Sequence, residues 1–512
     1  MPILIDPINA ILPTVYWGVV MFNPGLLMVQ GTTSDAGKSI LVTALCRIMA
    51  RHGYQVAPFK SQNMALNSAV TEDGGEIGRA QAVQALAANK IATVEMNPVL
   101  LKPNSDIGAQ VIVRGKAIGN MKAKEYHQFK PQLLHIACES LQTLQKTADF
   151  VFIEGAGSPA EINLRDRDIV NMGLAEAVNC PVIIIADIDR GGVFAHLVGT
   201  YQLLSETEQK HVVGFVINRF RGDLSLLRPG IDWLQDYLKV PVLAVIPYID
   251  QLYIEAEDAI DFSQVENEIL LNICVLAYPR MSNHTDFDAL RFHPNIKLRF
   301  IRSPNELQPC DLLILPGSKC VSDDLHWLKN NAFDRAVTKH LRYGGKLLGI
   351  CGGYQMLGKE ILDPDGIETQ HSLTLGLGFI DMNTQLMVQK SLTNMTGKCL
   401  VSDQNVKGYE IHVGQSTFNN KINHWFRLTN AQTGKTDFDG FISEDNCIRG
   451  TYLHGLFDEK GFLESIFQWC EINPNADFDY NELKHQEINR LADIVEEVIS
   501  HDLIKSLTLG TV

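Results

Sequence analysis

The chain is 512 residues long, 46% hydrophobic and 20% charged, with a formal net charge of −15. That length suits about three domains with ample core. The acidic balance disfavours a nucleic-acid partner, so a polyanionic substrate would have to meet locally clustered lysines and arginines.

The first 25 residues include AILPTVYWGVVMF, which is apolar but has no basic region before it and is flanked or broken by Asp6, Pro7 and Pro13. It reads as neither a signal peptide nor a membrane span, and residues 1–25 are expected to be a dispensable extension. No other stretch reaches transmembrane length. The ten cysteines are scattered, Cys180, Cys274 and Cys310 among them in apolar runs, with no CxxC pair. That usage fits a reduced, cytoplasmic protein with no membrane partner.

From residue 26 short apolar runs alternate with helical patterns. Strands are expected at 26–30, 55–59, 150–153, 181–186, 212–217 and 241–246, with helices at 39–52, 77–90 and 132–146 between them. Such alternation predicts α/β architecture, a mostly parallel sheet with helices on both faces. The first turn, LLMVQGTTSDAGKS (26–39), is a strand, small residues and a helix opening at Gly37-Lys38-Ser39. Backbone N–H groups at a helix N-terminus bind phosphate, Lys38 would reach terminal phosphates and Ser39 would hold Mg²⁺. The spacing is one residue longer than the usual phosphate loop, since Gly31 lies six before Gly37. FVFIEGAGSPAE places Glu154 at a strand end before a tight glycine turn. That is where open α/β sheets gather ligands, and Glu154 is the expected metal carboxylate.

The acidic stretch near 250–268 is the expected boundary. A second alternating series follows, with strands at 269–277, 297–301, 311–315 and 346–350 and shorter ones near 376–381, 409–413 and 448–452. GGKLLGICGGYQML (344–357) places Cys351 between a strand and a helix, with two glycines permitting a nucleophile elbow. A thiolate at a helix N-terminus is favoured, and the Gly352 N–H is a candidate oxyanion donor. Gly317, after the strand at 311–315, would supply a second donor. His454, at the end of the strand near 448–452, is the candidate base. The segment 481–500 has helical apolar spacing and is expected to be a terminal helix packed on one domain.

These motifs carry a resemblance. Gly31 to Ser39, with its extra residue, resembles the lengthened loop of the dethiobiotin synthetase superfamily; FIEGAGS resembles its second motif and GFVINRF the segment facing the nucleotide base. The resemblance implies a P-loop NTPase-like domain using ATP and Mg²⁺, with Thr33, Gly37, Lys38, Ser39 and Asn218 on the nucleotide and Ser39 and Glu154 on the metal. GICGGYQ resembles the nucleophile motif of class I glutamine amidotransferases, whose fold is flavodoxin-like. Cys351 and His454 are then catalytic, and Gly317, Gly352 and Gln355 serve the oxyanion and glutamine. One position departs: the family has Glu two residues after the His, and here it is Leu456. His454 is therefore expected to be oriented by some other group or only weakly, and glutamine hydrolysis to be slow.

The order of the two domains, together with FKSQNMALNS, GGEIGRAQA, ADIDRGGVFA and GYEIHVG, resembles the corrinoid amidases over residues 26 to 500. Taken with the boundary near 250–268 and the helical spacing of the last segment, it implies domains at 26–255 and 269–475, a linker at 256–268 and a C-terminal helix at 476–512. It also implies ATP- and glutamine-dependent amidation of the b, d, e and g carboxylates of adenosylcobyrinic acid a,c-diamide. Lys60, Arg79 and Arg190 are the candidate contacts to that corrinoid polycarboxylate. Another corrinoid amidase, acting on the a and c carboxylates, and a nucleotide-dependent regulator remain as alternatives.

Overall fold

A computed structural model describes residues 22–105, 108–254, 268–369 and 371–510. Two sheets, one parallel and one mostly parallel, organise the chain. The first contains β1 (Leu26–Gly31), β2 (Val56–Phe59), β3 (Phe150–Glu154), β4 (Val182–Asp187), β5 (Val212–Phe220) and β6 (Val242–Pro247), in the spatial order β6-β5-β4-β1-β3-β2. All its pairings are parallel.

The strands are apolar on both faces because both are covered. Leu26 and Met28 pack against the helices Ala123–Gln145, Met172–Val178, Val193–Gln202 and Leu224–Leu238. Leu27 and Val29 face the other way, toward the helix Lys38–Arg51. Two further helices, Tyr480–Glu496 and His501–Leu509, complete that second layer. The expected single terminal helix is thus two, and the chain returns to its first domain to bury them. Burial of Ile488, Leu491 and Val495 there contributes about 1.5–3 kcal/mol each. Residues 1–21 of the expected extension and most of the expected linker lie outside the described residues. Residues 22–25 belong to the fold: Phe22 packs against His211, and the Asn23 N–H bonds the Asn179 carbonyl at 2.9 Å.

The second sheet contains β7 (Leu271–Leu276), β8 (Ile296–Ile301), β9 (Leu312–Leu315), β10 (Lys346–Ile350), β11 (Phe441–Ile442) and β12 (Ile448–Thr451), ordered β8-β7-β9-β10-β12-β11. Only β11 runs antiparallel in this sheet. A long hairpin, Met382–Cys399 and Asn405–Phe418, stands beside it. The strand expected at 376–381 is a loop. Its N–H groups hold the preceding helix end, Leu377 to the Met356 carbonyl at 2.8 Å and Ile380 to that of Leu357 at 3.0 Å.

An insertion in the first domain meets this hairpin. The short strands Ser68–Val70 and Glu76–Gly78 pair with each other, and Ser68–Val70 packs on the hairpin. Buried Glu76 joins the two halves: it pairs with Lys102 of its own domain at 2.8 Å and with Lys390 of the hairpin.

Candidate active sites

The first site lies where β1, β3, β4 and β5 end together. Gly37 precedes the helix Lys38–Arg51 with φ 109°, and a Cβ there would stand 2.1 Å from the Asn218 Nδ2. Both facts require glycine. Asn218 Nδ2 donates to the Ala36 carbonyl at 3.0 Å, so this side chain braces the loop from below. Lys38 Nζ arches over the loop and donates to the carbonyls of Thr33 at 2.9 Å and Gly157 at 3.0 Å. Thr33 has an exposed side chain and engages Lys38 through its backbone.

Glu154 is buried at the end of β3. Its Oε1 accepts the Ser39 hydroxyl at 2.8 Å and the Lys60 ammonium at 3.0 Å, and its Oε2 accepts the Gln84 amide. Burial alone would raise this carboxyl; the Lys60 charge and these hydrogen bonds outweigh it and hold it low. A cavity of about 640 Å³ opens over the group, with Lys38, Lys60, Lys130, Arg165, Arg190 and Arg219 around it. Asp35, Glu154, Glu161 and Asp168 line the same cavity, and Lys60, Arg165 and Arg219 are paired with Glu154, Glu208 and Asp187, so much of its positive charge is balanced locally.

Lys60 lines this cavity with its ammonium held on Glu154. Arg190 lines the cavity, 60% exposed, within 3.6 Å of Asp187 and 3.5 Å of Asp35. Arg79 opens the helix Arg79–Ala87 and is not brought to the lining of this cavity.

The second site is built on β10. Cys351 follows it with φ 51° and ψ −109°, a strained conformation for a residue with a side chain. The next two residues must be small: a Cβ on Gly353 would sit 1.9 Å from the Leu315 carbonyl oxygen. The strain lifts the thiol clear of the sheet, with Sγ 3.6 Å from the Ile411 carbonyl. Gly352 packs against the Ser318 backbone N, so the Gly317–Ser318 segment flanks the elbow. Gln355 is buried behind it and donates to the Tyr452 hydroxyl at 3.2 Å. Tyr452, Tyr354, Glu410 and His412 line a neighbouring cavity of about 590 Å³.

His454 is 1% exposed at the end of β12. Its Nδ1 donates to Asp286 Oδ2 at 2.6 Å, and Asp286 Oδ1 accepts the Gly455 N–H at 3.2 Å. Nε2 makes no direct hydrogen bond among the described residues. Burial alone would lower the imidazole; the Asp286 carboxylate, then Cys351, overcome it and raise His454 to about 10. Tyr409 stacks on the ring at 5.3 Å between centroids.

Of the two expectations raised by Leu456, the structure meets the first: another group orients the base, and it is not loosely held. The carboxylate comes from a single turn of 3₁₀-helix, His284–Phe287, early in the domain. Sequence reading missed Asp286 because it sought the partner beside His454. The available signal was an acidic residue in NHTDF soon after β7.

Comparison with known proteins matches both halves. Residues 27–260 match the family described as CobQ/CobB/MinD/ParA nucleotide binding domain. Residues 272–462 match the CobB/CobQ-like glutamine amidotransferase domain. The cobyric acid synthase of Marinomonas sp. (strain MWYL1) is 53% identical over 486 residues, covering 93% of this chain and 97% of that one. That of Vibrio parahaemolyticus serotype O3:K6 (strain RIMD 2210633) is 54% identical over 481 residues, covering 93% and 98%. Among solved structures, PurLQS from Thermotoga maritima matches at 16% identity with a TM-score of 0.31, covering 39% of this chain and 99% of that one.

Proposed function

The chain belongs to the cobyric acid synthase family, and from that premise we propose that it amidates the b, d, e and g carboxylates of adenosylcobyrinic acid a,c-diamide, using ATP and glutamine. The observation that carries this reading is the pairing, in one chain, of a phosphate-loop cleft with a strained cysteine served by His454 and Asp286.

A carboxylate resists amines because its leaving group would be oxide. Transfer of the γ-phosphoryl of ATP to a corrinoid carboxylate oxygen makes phosphate the leaving group instead. Lys38 and the loop N–H groups hold the phosphates and offset the charge of the transferring group. Ser39 and Glu154, 2.8 Å apart, form a hard-oxygen donor set that fits Mg²⁺. Those two residues would hold the ion, which supplies further neutralisation of phosphate charge when bound. Arg190, in the lining of the same cavity, would meet corrinoid carboxylates.

At the elbow, Cys351 Sγ attacks the carboxamide carbon of glutamine. The Gly352 N–H and the Gly317–Ser318 backbone are the nearby donors for the oxyanion. His454 Nε2 manages the proton, accepting it from the thiol and giving it to departing ammonia, while Asp286 fixes the tautomer and stabilises the imidazolium. Water then cleaves the thioester to glutamate. Ammonia displaces phosphate from the acyl phosphate and leaves an amide.

Mass spectrometry of the corrinoid product tests this reading. Incubation with ATP, Mg²⁺ and glutamine is expected to replace OH by NH₂ in four successive steps. No amidation of the a,c-diamide with ATP turnover intact, or amidation only of a corrinoid whose a and c carboxylates are still free, overturns it.

A further inference from the structure

The carboxylate that orients His454 is held from the other domain. Asp286 sits in a turn that begins at Asn283, itself in a left-handed conformation at φ 53°. The first domain grips this turn through two buried residues. Asn67 Oδ1 accepts the His284 backbone N–H at 3.0 Å, and Asn67 Nδ2 lies 2.7 Å from His284 Nε2. The Ser68 N–H donates to Asn283 Oδ1 at 3.3 Å. The Tyr409 hydroxyl, whose ring stacks on His454, donates to the Ser68 carbonyl at 3.4 Å.

The same turn also bears on the oxyanion side. It follows the two-residue strand Met281–Ser282, which pairs with Gly317–Ser318 beside the elbow. A displacement of the 283–286 turn therefore moves the carboxylate of His454 and the backbone flanking Cys351 together.

The gripping segment leads back to the first cleft. It begins at Lys60, on Glu154, and Gln62, Asn63 and Met64 line the cleft on the way to Asn67. Its path is fixed: Gln62–Met64 pairs with Val99–Leu101, and Lys102 Nζ donates to Ser68 Oγ at 3.0 Å.

We propose that Asn67 is a positioning residue for the glutaminase, so that the first domain completes the second domain's catalytic geometry through the 60–68 segment. The inference rests on the glutamine-hydrolysing reading of Cys351, His454 and Asp286. Asn67 touches no substrate in this proposal; it acts through the 283–286 turn.

The experiment compares the full chain with Asn67→Ala in two assays, glutamine hydrolysis and ammonium-supported amidation. A small misplacement of a catalytic group costs about 10- to 100-fold in rate, so kcat for glutamine hydrolysis is expected to fall by that much. The KM for glutamine and the ammonium-supported rate are expected to stay as they are. Asn67→Asp keeps an acceptor for the His284 N–H and is expected to recover part of the lost kcat. Should Asn67→Ala fold poorly, Asn67→Ser serves instead: it keeps a small polar side chain at the buried position and removes both amide atoms that hold His284. The same split between the two nitrogen sources is expected of it. An unchanged kcat, or an equal loss in both assays as mere interface damage would give, overturns the proposal. Absence of glutamine hydrolysis in the unsubstituted enzyme instead overturns the functional reading on which it rests.

Discussion

His454 Nδ1 and Asp286 Oδ2 stand 2.6 Å apart across 168 residues of sequence. Asp286 offers the ring a carboxylate, as the amidotransferase resemblance would have a glutamate two residues after the histidine do; that position is held here by Leu456. Asp286→Asn is expected to lower glutamine hydrolysis by roughly three to four orders of magnitude, because an amide no longer fixes the tautomer. Ammonium-supported amidation is expected to survive. Steady-state rates with the two nitrogen sources check this.

The same pair has a pH signature. His454 is raised to about 10 from 6.5. The folded state thus binds a proton there that the unfolded chain releases first. The stabilisation is complete below 6.5 and is lost as pH rises through about 10. In Asp286→Asn the leading attraction is gone while burial still lowers the imidazole. The His454 titration, followed by NMR of the ring proton, is expected to move to lower pH, and the alkaline loss of stability with it.

Cys351→Ala is expected to abolish glutamine-dependent amidation and spare the ammonium-supported reaction, since the elbow and the phosphate loop lie on different sheets. Failure of ammonium to rescue a folded Cys351→Ala protein would mean that the acyl phosphate forms only when the glutaminase is intact.

Lys38→Ala and Glu154→Gln are expected to lose both activities, because neither nitrogen source helps without an activated carboxylate. The loss from Lys38→Ala is expected to reach roughly 100-fold or more. Glu154→Gln also leaves the buried Lys60 ammonium without its carboxylate, so unfolding should be measured alongside ATP turnover.

The sequence carried the sheets and both loops because those signals are local. An apolar run followed by Gly37-Lys38-Ser39, or by Cys351-Gly352-Gly353, needs only neighbours in the chain to be read. What it hid was set by distant contacts. Asp286 reaches His454, Lys60 turns inward to Glu154, Asn218 braces the loop, and the terminal helices return to the first domain. Each is a pairing between residues far apart in sequence, and a lone Asp, Lys or Asn carries no mark of its partner. Loop 376–381 failed for the opposite reason: its apolar residues looked like a strand, but its N–H groups were already committed to a helix end.

Leu456→Glu puts the orientation of His454 to a direct test. If the missing glutamate limited the site, restoring it would speed hydrolysis of glutamine in the absence of corrinoid. The structure points the other way. Leu456 is 1% exposed and packs in the second domain's core with its neighbour Phe457. The Nδ1 hydrogen bond it would offer His454 is already made to Asp286. A carboxylate introduced there loses the leucine's apolar burial and is desolvated beside a second carboxylate competing for the same ring nitrogen. Leu456→Glu is therefore expected to lose at least about 3 kcal/mol of stability in denaturant unfolding. It is also expected to hydrolyse glutamine no faster than the parent chain. A stable Leu456→Glu protein with accelerated hydrolysis would mean that Asp286 does not hold the base in the working enzyme.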